Sequence, residues 1–350
     1  MKKEINAGVI GLGMGQHHLR CFKNSRANVL AVCDVNEERL ARIKDEYKVP
    51  MTFTSIDEML AVKELDLVSV ALPNYLHAPV SIKALRAGKH VMCEKPMAMN
   101  AREGRRMALA AKASGRKFMM HFNTRFSPEA QVLKEYAEAG TLGDIYYCRT
   151  VWNRRRGMPG IGGWFTTRKF SGGGPLIDLG VHRLDLALWL MGNPGAVSVS
   201  GFCHDKLAID LAERAGKTMD VEDFAAGFIR LDNGAVISLE ASWATNTEKG
   251  EDMSTLILGT KGSLFHGNAG ESYQMEAKAF VSRGGCVEVV TPKGYIPRYS
   301  SAQQHFVDCI IDNQQPLATA EHGVRVMEIL DALYESATKG KEVKVRRQEL

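Results

Sequence analysis

The residues best equipped for chemistry are a histidine and two carboxylates in the stretch Gly172-Gly173-Gly174-Pro175-Leu176-Ile177-Asp178-Leu179-Gly180-Val181-His182-Arg183-Leu184-Asp185. Proline is favoured at the first helical position, so a helix is expected from Pro175 through the apolar run to Met191. It should stop at Gly192, with Pro194 just beyond. On that helix Asp178 and His182 stand one turn apart on one face, and Asp185 shares the side. A histidine flanked by carboxylates behind a glycine-rich loop can serve as a positioned proton acceptor. The same residues fit a plainer role. Asp178 in the first turn complements the helix dipole, and His182 is a satisfied core residue. These residues alone leave both readings open.

Such a site needs elements to position it, and the first of them open the chain. Residues 5–10 read as a buried strand, followed by Gly11-Leu12-Gly13-Met14-Gly15-Gln16 and a helical stretch to about Asn24. Strand, glycine turn and helix form the context of a dinucleotide fingerprint, so Gly11, Gly13, Met14 and Gly15 are candidate cofactor-binding residues. Gly11 permits the tight turn, Gly13 lets backbone approach a pyrophosphate, and the helix N-terminus offers N–H groups to phosphate. The usual form is G-x-G-x-x-G/A. Here the third small residue, Gly15, arrives one position early, which bears on helix–strand packing more than on phosphate binding. A second strand, 28–33, ends at Asp34, about 20 residues past the glycines, where a carboxylate accepts from a ribose diol. That carboxylate repels a 2′-phosphate, and Val35-Asn36 supplies no arginine to hold one, so NAD is expected over NADP. As an alternative, Asp34 is a helix cap at a strand end.

Strands and helices go on alternating to residue 122, which means a parallel, doubly wound sheet. Ligands on such sheets bind outside the carboxyl ends of the strands. There stand Leu72-Pro73-Asn74, Glu94-Lys95-Pro96 and His121-Phe122-Asn123. Lys95 is a cation at a strand end facing the expected cleft, unless it is an ordinary snorkelling lysine.

Length and composition set the bounds. A chain of 350 residues is long enough for two cores. It is 45% hydrophobic and 24% charged, as soluble globular proteins are. A net charge of +5, from 45 basic and 40 acidic residues, is too mild to imply nucleic acid. No apolar stretch has the length of a membrane span, so no membrane partner is expected. Seven scattered cysteines without C-x-x-C spacing predict neither a disulfide framework nor a zinc site, so no metal is expected. Reduced thiols fit a cytoplasmic protein.

The stretch Gly88-Lys89-His90-Val91-x-x-Glu94-Lys95-Pro96 resembles the signature of the Gfo/Idh/MocA oxidoreductases, which include glucose–fructose oxidoreductase and inositol dehydrogenase. The resemblance takes in Pro73-Asn74 with His77 shortly after, Asn123-x-Arg125-Phe126, and the Gly-Gly-Gly-x-x-x-Asp-x-Gly-x-His stretch. Glu-Lys-Pro alone is common; in register with the nucleotide fold and Asp-x-x-x-His it is specific. The shortened glycine turn is the main departure. The resemblance implies an N-terminal Rossmann NAD-binding domain, residues 1–123. A C-terminal α+β domain, 124–350, would serve substrate binding and oligomerisation. It implies that Lys95 lies beside the nicotinamide and that His182 accepts the proton, oriented by Asp178. Leu72, Pro73, Asn74, His77, Glu94 and Asn123 join the cofactor-binding set. The substrate class it implies is a sugar, polyol or derivative.

Past residue 124 the strand candidates are 144–152, 196–203, 224–231, 234–243, 254–258, 262–266, 274–281 and 286–291. Asp232-Asn233-Gly234 is a strong hairpin turn, so the expected sheet is large, open and mostly antiparallel. A sheet covered on one face predicts a homodimer or homotetramer, and a monomer in light scattering would remove that expectation. The loop 153–171 is the expected selectivity element. There Trp164 stacks on a sugar ring and Arg156 binds hydroxyls or a carboxylate, or else the loop is merely solvated and basic. The overall expectation is an α/β chain that moves hydride between a secondary hydroxyl and NAD. His182 is its general base and Lys95 stabilises the oxygen. Two alternatives are an NAD-dependent glycosidase of the same fold and a non-catalytic NAD-binding regulator.

Overall fold

The computed structural model describes residues 4–347 and divides into two compact units. One takes the chain as far as Asn123 and then Tyr299–Val324; the other takes Thr124–Arg298 and continues from Arg325. The expected single boundary at 123/124 therefore gains two further crossings.

In the first unit the elements run β1 (Ile5–Ile10), α1 (Gly15–Lys23), β2 (Ala27–Cys33), α2 (Glu37–Tyr47), β3 (Met51–Phe53) and α3 (Ile56–Leu60). They continue with β4 (Leu67–Val70), α4 (Asn74–Arg86), β5 (His90–Glu94), α5 (Ala101–Ser114) and β6 (Phe118–His121). Every strand pairing is parallel, in the order β3-β2-β1-β4-β5-β6. The strands are near-continuous apolar runs because helices cover a parallel sheet. Local chemistry sets the helix starts. The side chains of Asn36, Ser55 and Asn100 accept from backbone N–H groups in the first turns of α2, α3 and α5. The chain order reverses between β1 and β4, so the carboxyl ends of those strands form the ligand crevice of a doubly wound sheet.

The late segment joins this unit through ordinary packing. Met120 N–H donates to Ala318 O at 2.9 Å, and Arg26 pairs with Asp308 at 3.2 Å. No sequence period reveals which core a late helix will choose.

In the second unit, α6 (Pro128–Glu138) and β7 (Ile145–Arg154) come first, then α7 (Arg168–Ser171) and a π-helical turn at Leu176–Gly180 that runs into α8 (Val181–Leu190). There follow β8 (Ala196–His204), α9 (Lys206–Arg214), β9 (Phe224–Leu231), β10 (Val236–Ser242), β11 (Glu251–Gly259), β12 (Gly262–Asn268), β13 (Met275–Arg283) and β14 (Cys286–Val290). After α10 (Ala302–Ile311) of the first unit, α11 (Ala320–Lys339) and β15 (Val343–Lys344) end the order. The sheet runs β14-β13-β12-β11-β7-β10-β9-β8-β15, and β7–β10 is its parallel pair among antiparallel neighbours. The sequence reading named no element at α9 or β15.

The pleat separates two faces. Ile229, Ile237, Leu239, Ile257 and Leu264 are buried, on the side where α6 and α8 pack. Phe228, Val236, Leu256, Phe265 and Phe280 on the opposite side stay partly exposed. No helix among the described residues is long and apolar enough to cross a membrane.

Candidate active site

Gly11 takes φ +88°, and a Cβ there would strike the Ala71 carbonyl. Gly13 is the opposite case, for a Cβ on it meets nothing within 4 Å. Open space beside the turn is what an approaching pyrophosphate needs. At Gly15 a Cβ would come within 2.7 Å of Val9 Cγ1, so this glycine performs the helix–strand packing role despite its early place. Met14 is 66% exposed, and no side chain caps α1, which leaves the helix N-terminus open to an anion. These features fit a dinucleotide.

Asp34 takes two backbone donors, Leu12 N–H at 2.7 Å and Asn36 N–H at 2.9 Å, and Arg39 Nη1 at 3.1 Å. Burial opposes its ionisation, but those three donors outweigh burial and hold the carboxyl below its usual range. An arginine is therefore near Asp34 after all. It sits one turn into α2, beyond the Val35-Asn36 pair on which the expectation rested, and its guanidinium is engaged by Asp34 itself.

His77 is buried, with Nδ1 2.7 Å from Pro96 O and Nε2 2.7 Å from Leu72 O. It laces the end of β4 to the Glu94-Lys95-Pro96 turn. Pro73 precedes α4 as its N-cap and Asn74 opens that helix, buried. Asn123 opens a short 3-10 segment, Asn123–Phe126. Lys95 N–H donates to Glu94 Oε2 at 3.0 Å, and the Lys95–Pro96 peptide is cis. Among residues 91–98 only Lys95 is not fully buried.

The second unit repeats that pattern. Pro175 leads into the helix as expected, but the first turn is a π turn, a form that often marks functional sites. Between residues 173 and 191 only Asp178 and His182 escape full burial. Each meets a tryptophan. Trp243 Nε1 donates to Asp178 Oδ2 at 3.0 Å, and the Trp152 ring lies 5.4 Å from the His182 ring at 47°. Trp152 is fixed in turn by Glu251, whose Oε1 accepts from Trp152 Nε1 at 2.6 Å, Arg154 Nε at 2.9 Å and Tyr273 at 2.9 Å. Burial works against the Glu251 charge, yet Arg154 and Trp152 prevail and its carboxyl sits below the usual range.

Asp185 belongs elsewhere. Its carboxylate is 1% exposed and makes a two-pronged pair with Arg125 at 2.6 and 2.9 Å, so it is a structural ion pair and not a third member of the face. Arg156 spends its guanidinium on Arg155 O, Thr245 O and Asn246 Oδ1. Trp164 stacks on Phe165 at 3.8 Å. The glycines before Pro175 are needed for space, since a Cβ on Gly174 would collide with Glu222 O. The Glu222 carboxylate receives Leu176 N–H at 3.2 Å.

The model of an oxidoreductase family with an NAD-binding Rossmann fold matches residues 5–122, and that of the family's C-terminal alpha/beta domain matches residues 134–345. The chain belongs to the Gfo/Idh/MocA oxidoreductase family. Relatives of this Gfo/Idh/MocA chain include D-glucoside 3-dehydrogenase of Escherichia coli K12, 31% identical over 97% of each chain. Another is myo-inositol 2-dehydrogenase of Thermotoga maritima, 27% identical over 97% of this chain and 98% of that one. Among solved structures, levoglucosan dehydrogenase in complex with NADH shares the fold at a TM-score of 0.87 and 24% identity, over 99% of this chain and 100% of that one. The Gfo/Idh/MocA chain is an NAD-dependent oxidoreductase acting on CH–OH groups.

Three residues of this surround escaped the sequence reading: Trp152, Trp243 and Glu251. Trp164 was named because it lies in the loop next to the glycines, whereas Trp243 reaches Asp178 across 65 positions of sequence. The one local signal was a tryptophan at the end of a strand candidate.

Proposed function

We propose that this enzyme oxidises a secondary hydroxyl of a sugar or polyol, or runs the reverse reduction, with Lys95, Asp178 and His182 as its working residues. His182 takes the hydroxyl proton. Asp178, itself steadied by Trp243, orients the imidazole and favours its charged form. Lys95 bonds the same oxygen and stabilises negative charge growing there. Bound NAD⁺ supplies the hydride acceptor. The observation that carries this reading is the selective accessibility of Asp178 and His182 on a helix otherwise buried from 173 to 191. A core histidine needs no such opening. Gly11, Gly13, Met14, Gly15, Asp34, Leu72-Pro73-Asn74 and Asn123 are the proposed cofactor contacts; His77 and Glu94, expected among them, have their polar atoms engaged inside the protein and hold the Lys95 turn instead. Trp164 is the proposed substrate contact of the loop, and Arg156, expected beside it, ties the loop through Arg155 O, Thr245 O and Asn246 Oδ1.

A panel of sugars, polyols and glycosides tests the reaction. NADH should accumulate with at least one free sugar or polyol. Release of free sugar from a glycoside with no net NADH would favour the glycosidase, and inertness across the panel with intact NAD binding would favour the regulator.

We also propose that NAD is preferred over NADP. The Asp34 carboxylate would face a 2′-phosphate, and Arg39 is occupied by Asp34. A penalty of about 1.4 kcal/mol is a factor of ten, so NADP should bind at least about tenfold more weakly in a direct titration. Comparable affinities would refute the preference.

A further inference from the structure

Five polar side chains meet inside the first unit, away from solvent: His18 of α1, Ser69 of β4, Glu94 at the end of β5, His121 at the end of β6 and Gln303 of α10. Glu94 Oε1 lies 2.7 Å from His18 Nε2 and 2.8 Å from His121 Nδ1. The second nitrogen of His18 is 2.6 Å from Ser69 Oγ, and that of His121 is 3.2 Å from Gln303 Nε2. One assignment satisfies this network: each imidazole aims an N–H at Glu94 and turns its other nitrogen to Ser69 or Gln303. Burial, then the adjacent His121 ring, pushes the pKa of His18 down. Burial opposes the Glu94 charge, but His121 and His18 overcome it and hold the carboxyl well below the usual range.

The three ligand-type residues also have the composition of a metal site. Their spacing argues for hydrogen bonds instead. Two donors sharing a tetrahedral zinc at ~2.0–2.2 Å stand roughly 3.3 Å apart, whereas 2.7–2.8 Å is the length of a charge-assisted hydrogen bond.

A buried ionic cluster is seldom the most stable filling of a core, since apolar residues of similar volume often do as well or better. What this one touches outside itself is therefore informative. The second oxygen, Glu94 Oε2, accepts from Lys95 N–H at 3.0 Å. From the other side His77 closes on Pro96 O. The backbone is thus held on either side of Lys95, at its own N–H and at the Pro96 carbonyl, and its side chain is the accessible one in the segment 91–98. Because His18 stands in α1, the same carboxylate also ties the helix behind the glycine turn to the strand that presents Lys95.

We propose that His18, Glu94 and His121 form a positioning network for Lys95, one that governs turnover rather than cofactor affinity. The inference rests on the reading of Lys95 as a working residue.

Two variants of the full chain test it. His121→Leu removes the donor to Glu94 and fills the space with an apolar side chain; His121→Asn keeps an N–H near the place of Nδ1. The expected result is that His121→Leu lowers kcat about 10- to 100-fold with the NAD dissociation constant within about twofold of the parent, and lowers Tm as well because Glu94 stays buried with one donor fewer. His121→Asn should recover most of that turnover. In a Lys95→Ala background His121→Leu should cost little more, because both act through one group. Undiminished kcat in His121→Leu would overturn the proposal. So would a fall in Tm and kcat together without rescue by asparagine, fully multiplicative losses in the double variant, or stoichiometric zinc in the purified protein. Full turnover in Lys95→Ala alone would remove the reading beneath it. Lost turnover there with none lost in His121→Leu would remove only the network.

Discussion

His182→Ala lowers kcat at least about 100-fold and leaves NAD affinity within about twofold of the parent. A positioned acid–base group contributes about 10²–10⁴-fold, and 100-fold is ~2.7 kcal/mol of transition-state stabilisation. Alanine is the strongest helix former, and His182 is only half-buried against Trp152, so α8 and its neighbours should persist. The dinucleotide features lie in the other unit, at Gly11, Gly13, Gly15 and Asp34, so the loss should fall on turnover and not on cofactor binding. Lys95→Ala is expected to behave in the same way. Lys95 N–H to Glu94 is a backbone donor and survives truncation. Steady-state kinetics with NAD titration by fluorescence decide the matter. Parental kcat in either variant would sink the proposed mechanism, and a parallel drop in Tm would reassign that residue to the fold.

The second large effect concerns the glycine turn, where neighbouring glycines should fail in different ways. Gly13→Ala is expected to fold with an unchanged Tm and to bind NAD at least about tenfold more weakly. Its backbone lies outside the left-handed region and the added methyl meets no protein atom within 4 Å, so the protein has no reason to object. The methyl would instead stand in the space where backbone must approach the pyrophosphate, and tenfold is about 1.4 kcal/mol. Gly11→Ala should lose stability and NAD binding together. It holds φ +88° and would press on Ala71 O and, at 2.9 Å, on Leu72 Cδ2. Left-handed strain alone costs ~1–2 kcal/mol, before the collision is counted. Thermal melts paired with NAD titration separate the two cases. Parental affinity in Gly13→Ala would contradict the assignment of the turn to the pyrophosphate.

Much of this was legible before any coordinates. Strand, glycine turn and helix at 5–24, an acid at 34, and alternating strands and helices to 122 are local patterns. The second sheet's strands appeared within a few residues of their observed limits because turn residues such as Asp232-Asn233-Gly234 and alternating burial are also local. The helix bearing Asp178 and His182 was expected from Pro175, and only its π turn was not. Asp185 depends on a partner far away in sequence, and Arg39 on the turn of a helix. Asp185 looked like a member of the face until Arg125, 60 positions earlier, claimed it. Arg39 lies past the Val35-Asn36 pair, in the first turn of α2, and only the winding of that helix brings its guanidinium back to Asp34.

The sequence by itself determined the class of protein: a dinucleotide-binding α/β unit, an open sheet unit, and an oxidoreductase of the Gfo/Idh/MocA kind. Periodicity, turn chemistry and motif spacing all act between near neighbours, so they can be read from a single chain. Only the tertiary structure decided the surroundings of each candidate: that Trp243 holds Asp178, that Trp152 backs His182, that His18 and His121 share Glu94, and that Tyr299–Val324 returns to the first core. Those contacts follow from strand order and from which surfaces exclude water together. Such choices are made by the whole chain at once, across 60 residues between Arg125 and Asp185 and 76 between His18 and Glu94, and no short window of sequence carries them.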